Sequence, residues 1–120
     1  MWRVLVVEDD VLQAEHICDL LVGEGMEPLG PMPDVEAALR VLDTTTVDGA
    51  ILDIRLHNGL CFDVARTLTA RHIPFLLLTG SPQVVLPAEF RAVPVLHKPF
   101  EPATLFALLR RVLPAQPAAG

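Results

Sequence analysis

Val4-Leu5-Val6-Val7-Glu8-Asp9-Asp10 runs four apolar residues straight into three carboxylates. A short unbroken apolar run suits a strand buried on both faces of a parallel sheet, where neither face meets water. The pattern recurs along the chain. Ala50-Ile51-Leu52 ends on Asp53, Phe75-Leu76-Leu77-Leu78 ends on Thr79, and the stretch 93–97 ends on Lys98. Lys98 is the single lysine among nine basic residues. An ammonium is a compact point charge with three donors, suited to a phosphoryl oxygen or a carboxylate.

Helical spacing fills the intervals. Residues 11–22 place Leu12, Ile17, Leu20 and Leu21 at roughly helical intervals before Gly23 and Gly25 stop the run. Asp34 is suited to cap a helix carrying Val35, Ala38, Leu39 and Leu42. The stretch 60–70 puts Leu60, Val64, Ala65 and Leu68 on one face, and 101–113 is the last amphipathic helix. Between the first two helices, 26–30 is a weak strand that Pro28 confines to an edge or an irregular stretch. Alternating strands and helices imply right-handed crossovers and an α/β architecture, a parallel sheet covered on both faces. Ligands of such sheets sit beyond the carboxyl ends of the strands. Glu8, Asp9, Asp53, Thr79 and Lys98 all fall at such ends, so they are expected to converge.

One interval breaks the alternation. Pro82, Pro87 and Pro94 divide the segment between Thr79 and Lys98. Each proline removes a helical donor, and the residue before it avoids the helical region. At most 87–92 forms a turn or two, and the segment is expected to bury little apolar surface and to open easily.

Composition bounds the function. A chain of 120 residues with 52% apolar and 20% charged residues fits one α/β domain, taken as 1–113, with 114–120 a flexible tail. The net charge of −6 argues against a general nucleic-acid binder. No apolar stretch reaches the roughly 18 residues of a membrane span, and Met1-Trp2-Arg3 opens directly into a strand, so a cytoplasmic location is expected. Cys18 and Cys61 are too few for a disulfide framework and have no metal-type spacing; both read as core fillers. Trp2 reads as packing at the far end of the sheet. Each site residue has a bland reading when taken alone. The acids 8–10 could simply cap a helix, Asp53 could lead into the turn Asn58-Gly59, Thr79 could end a strand, and Lys98 could be a solvated charge. All four together, each at the end of an apolar run, weigh against those readings, and clustered anions need a compensating cation.

The motifs 4–10, Asp-Gly-Ala-Ile-Leu-Asp-Ile-Arg-Leu (48–56), Leu-Leu-Thr-Gly (77–80) and Lys-Pro-Phe (98–100) resemble those of response-regulator receiver domains of two-component signalling, over about residues 2–113. The resemblance implies a flavodoxin-like, doubly wound five-stranded sheet of order 2-1-3-4-5. It implies that Asp53 accepts a phosphoryl group from a sensor histidine kinase or a histidine phosphotransfer protein. It assigns Mg²⁺ to Asp9 and Asp53 directly, to the Arg55 carbonyl, and to Glu8 through water. Thr79 would bond the phosphoryl group, Lys98 would pair with it, and the Lys98–Pro99 bond would be cis. Such a protein catalyses its own phosphorylation and dephosphorylation, acts through contact with a downstream protein, and is a monomer or weak homodimer; a stand-alone receiver is the expectation. Two rivals stand beside this reading. A Mg²⁺-dependent phosphohydrolase of the haloacid dehalogenase type would need a second acid two residues after Asp53, where Arg55 stands. A pseudo-receiver binding module is opposed by the intact Asp53, Thr79 and Lys98. Departures from the family pattern are His57, where proline is usual, and Val95, where many members carry an aromatic residue. Thr79-Gly80 and the shortened fourth helix resemble a receiver subgroup with a Phe-Ala-Thr-Gly-type motif, but only in those two features, since Leu77 and Leu78 replace the Phe-Ala.

Overall fold

The computed structural model describes residues 1–118. A five-stranded sheet forms from β1 (Arg3–Val7), β2 (Glu27–Met32), β3 (Gly49–Asp53), β6 (Phe75–Thr79) and β7 (Val95–His97), in the order β2-β1-β3-β6-β7. Every pairing in this sheet is parallel. With the two-residue strands β4 (Arg55–Leu56) and β5 (Gly59–Leu60) set aside, this is the doubly wound order 2-1-3-4-5. The helices are α1 (Val11–Gly23), α2 (Val35–Thr44), α3 (Phe62–Ala70) and α4 (Pro102–Val112).

The central strands explain themselves. β3 and β6 are buried at every position, as their uninterrupted apolar runs require. Alternate residues then feed two cores. Leu5, Val7, Ala50, Leu52 and Leu77 face α2 and α3, while Val4, Val6, Ile51, Leu76 and Leu78 face α1 and α4. At the edge, β2 tolerates both Pro28 and Pro31 because one side of it has no partner strand to serve. It runs further than residues 26–30. Gly30 has φ +117, its place would bring a Cβ within 2.9 Å of the Val6 carbonyl, and the register with β1 shifts there.

Three local expectations need correcting. Leu12 lies on the outer face of α1, 80% exposed; Ala14, Ile17 and Leu21 form the buried stripe instead. Leu60 is not helical. It pairs with Arg55 in the β4–β5 hairpin, so α3 starts at Phe62 and Leu60 is 51% exposed. The segment after β6 is also better anchored than its prolines suggest. It forms one 3₁₀ turn, Ala88–Phe90, confirming the reduced fourth helix, but Phe90 is fully buried. The Phe90 ring stacks on Phe62 at 5.5 Å and meets Phe75 edge-on at 6.1 Å. Arg66 reaches across from α3 to Glu89 and lies over the same ring.

At the opposite end of the sheet from the carboxyl ends, Trp2 packs on the α1/α4 core and donates its indole N–H to the Pro114 carbonyl. Asp48 is buried and accepts from the Arg3 and Ala118 amides, both at 2.7 Å. Residues 114–118 are irregular but tied at these two points; the last two residues of the expected tail lie outside the described residues. Among the described residues, no helix is long and apolar enough to cross a membrane.

Candidate functional site

Four strand ends bring the site together. Glu8 follows β1, Asp53 is the last residue of β3, Thr79 the last of β6, and Lys98 follows β7. Because the strands are parallel and in register, their carboxyl ends share one edge of the sheet. The Lys98 ammonium donates to Asp53 Oδ2 at 2.8 Å and to Glu8 Oε2 at 3.0 Å, joining residues 45 and 90 positions apart. The Lys98 amide donates to the Thr79 carbonyl at 2.8 Å, which ties the lysine to the end of β6. The Lys98–Pro99 bond is cis.

The three consecutive acids separate by role. Asp10 caps α1, accepting from the Gln13 amide at 3.0 Å. Glu8 points inward, almost wholly buried, with Oε1 accepting from the Asp10 amide at 3.1 Å. Asp9 lies between them, and carboxylate oxygens of Glu8, Asp9 and Asp53 fall within 4.8 Å of one another. Asp53 Oδ1 accepts from the Arg55 amide at 3.3 Å.

The charges do not balance. Three carboxylates face one ammonium, and two of the carboxylates are buried. Burial, followed by the nearby Asp53 carboxylate, pushes Glu8 up to about 7. Burial alone would lower the Lys98 pKa, but its bonds to Asp53 and Glu8 outweigh burial and raise it. An all-oxygen donor set with excess negative charge is what a hard divalent cation fits, since it replaces lost solvation with direct charge neutralisation.

Beside this cluster opens a cavity of about 410 Å³ lined by Asp53, Arg55, Thr79, Gly80, Ser81 and Lys98. The Thr79 hydroxyl accepts from the Ser81 amide at 3.0 Å. The rim contains a feature that sequence reasoning missed, the β4–β5 hairpin with His57-Asn58 as its two-residue loop. The signal was present in Asn58-Gly59, a common turn dipeptide, set between Leu56 and Leu60. The hairpin holds His57 out in solvent, 94% exposed at the side chain, with Nδ1 3.4 Å from Asp9 Oδ2. Cys61, the other reactive side chain nearby, is fully buried; burial first, then Asp53, pushes its thiol up to about 12, so it is an inert core filler.

With this geometry in hand, the comparisons are unambiguous about the family. The response regulator receiver domain model matches residues 4–110, and the chain belongs to that family of two-component signalling proteins. It is 35% identical over 112 residues to the DNA-binding response regulator MtrA of Mycobacterium tuberculosis, covering 90% of this chain and 49% of MtrA. The chain spans about half the length of the curated relatives it matches. Among solved structures it resembles SdrG from Sphingomonas melonis Fr1 with a TM-score of 0.81 at 35% identity, over 92% of this chain and 94% of that one. The BeF3-activated conformation of SdrG gives 0.76 at 37% identity, over 89% and 94% of the two chains.

Proposed function

We propose that this chain takes a phosphoryl group onto Asp53 from a phosphohistidine of a sensor kinase or phosphotransfer protein, and signals through contact with another protein. The observation that carries this reading is the pair of bonds from Lys98 to Asp53 and Glu8 at the mouth of the cavity. Phosphoryl transfer needs little covalent help from a protein. It needs an aligned acceptor and neutralised charge on the equatorial oxygens.

Asp53 supplies the acceptor oxygen. As the bond from phosphorus to that oxygen forms, the bond from phosphorus to the donor imidazole breaks, and the imidazole nitrogen keeps the electron pair. Lys98, already bonded to Asp53 Oδ2, faces the incoming oxygens as a fixed cation. The Thr79 hydroxyl lines the same cavity and has its proton free to donate, because its oxygen accepts from Ser81. Asp9, Asp53 and the Arg55 carbonyl would hold Mg²⁺, with Glu8 acting through water. That ion would offset charge shared between the carboxylates and the phosphoryl oxygens. Bonding of Thr79 to the new phosphoryl group would draw Gly80 and Ser81 inward and bias the segment up to Phe90.

The test uses the intact chain with a small phosphodonor such as acetyl phosphate. Labelling is expected with Mg²⁺, lost on chelation, and slowed in Lys98→Ala. Labelling that is indifferent to both chelation and Lys98 would contradict the assignment.

A further inference from the structure

Beside the phosphoacceptor cavity lies a second one of about 210 Å³, between the β4–β5 hairpin and the segment that follows β6. The hairpin supplies Leu60, with Phe62 from the start of α3, and the segment supplies Val84 and Val85. Thr79 and Ser81 line both cavities, so the two meet at the end of β6. Single surface hydrophobics are ordinary, but here two large ones line the same cleft. Leu60 is 51% exposed and Val85 93%. Val84 and Leu86 pack against the core under α2 and α3, which leaves Val85 between them in water.

We propose that residues 81–86 form a strap that closes over this cleft when Asp53 is phosphorylated, seating Val85 against Leu60 and Phe62. The inference rests on the phosphoacceptor reading above and adds the surface on which the responding segment lands. The strap is fastened at both ends. Upstream, the Thr79 hydroxyl accepts from the Ser81 amide, and the Ser81 hydroxyl donates to the Gln83 carbonyl at 2.8 Å. Downstream, buried Phe90 and the Glu89–Arg66 pair hold the 3₁₀ turn. The receiving wall is fixed by the β4–β5 pairing, by the Cys61 amide donating to the Ile54 carbonyl at 3.0 Å, and by the Phe62–Phe90 stack. Turning the Thr79 hydroxyl toward a phosphoryl group therefore moves Ser81 first, and burial of Val85 stabilises the closed arrangement. Because the coupling is reciprocal, closure and phosphoryl binding strengthen each other.

The experiment uses beryllofluoride with Mg²⁺ as a phosphoryl mimic on the whole chain, Leu60→Ala, Val85→Ala, the double variant and Val22→Ala. All three positions are exposed, so the substitutions leave the core intact; Val22, on α1, is the remote control. Nuclear Overhauser contacts between the Leu60 and Val85 methyl groups are expected only in the beryllofluoride-bound chain. Each single substitution at the cleft is expected to weaken beryllofluoride binding by about threefold or more, with the double variant no weaker than the worse single. Val22→Ala should bind as the unmodified chain does. No Leu60–Val85 contact in the bound chain, or losses that multiply in the double variant, would overturn the proposal. If beryllofluoride binds without that contact, only this inference fails. If it does not bind the unmodified chain at all, the phosphoacceptor reading fails and the strap with it.

Discussion

Lys98 and Glu8 set the electrostatics of the site. Among the described residues Lys98 is the only cation paired with the buried carboxylates of Glu8 and Asp53, so its removal takes that partner from both. Lys98→Ala is expected to destabilise the metal-free protein by about 3 kcal/mol at neutral pH, with part of the loss recovered on adding Mg²⁺. Urea titrations with and without Mg²⁺ measure both quantities; a loss below about 0.5 kcal/mol would mean the pair is solvated. Glu8 gives the pH dependence. Its folded pKa is raised from 4.5 to about 7, so between those values the folded state holds a proton that the unfolded state has released. Stability contributed by this group therefore falls as pH rises from about 4.5 to about 7, by on the order of a few kcal/mol, and the cost is complete above that window. In chelator, the stability of Glu8→Gln relative to the unsubstituted chain should rise across the window, and saturating Mg²⁺ should flatten the difference. A difference independent of pH would show that Glu8 is not raised.

At the scale of elements, the segment after β6 carries the most information. Residues 81–87 are irregular, whereas Phe90 is locked among Phe62, Phe75 and Arg66. Hydrogen exchange should therefore be fast over 81–87 and slower at the Phe90, Arg91 and Val93 amides, which bond to carbonyls within the turn. Phosphorylation of Asp53 should slow the first group and leave the second little changed. Uniform protection across 81–93 would rule this segment out as the responding element. Phe90→Ala is expected to cost about 3–5 kcal/mol by creating a cavity between α3 and β6. Legibility divides along the same line. The strands were readable because a doubly buried strand admits only apolar residues, and their ends gave Glu8, Asp53, Thr79 and Lys98. The shortened helix was readable because proline is sterically unambiguous. Phe90 was not, since one aromatic residue among prolines carries no period. Leu60 and Leu12 misled because helical spacing counts apolar residues without knowing which neighbours exist; Leu60 was claimed by a hairpin and Leu12 faces outward. His57 was visible as a departure, but its closeness to Asp9 depends on a turn that connects two strands of only two residues each.

Across the whole molecule, the candidate site lies at one end of the sheet and fastening at the other. The carboxyl end, where phosphoryl uptake is proposed, carries the imbalance of charge, the cavity and the hairpin. The opposite edge carries Asp48 with both oxygens satisfied, and Trp2 bonded to Pro114. Asp48→Ala leaves the Arg3 and Ala118 amides without that partner and is expected to cost about 1–3 kcal/mol without altering phosphoryl uptake, since the residue sits at the far end of β3. Thermal unfolding together with a phosphorylation assay separates the two effects. The most direct test of the whole account is to find where the phosphoryl group goes. After treatment with a phosphodonor and Mg²⁺, the acyl phosphate can be reduced with borohydride and the chain mapped by tandem mass spectrometry. A single modified residue at Asp53, absent from Asp53→Ala, is the result expected. A modification at Glu8, Asp9 or Asp10, or labelling that persists in Asp53→Ala, would contradict it.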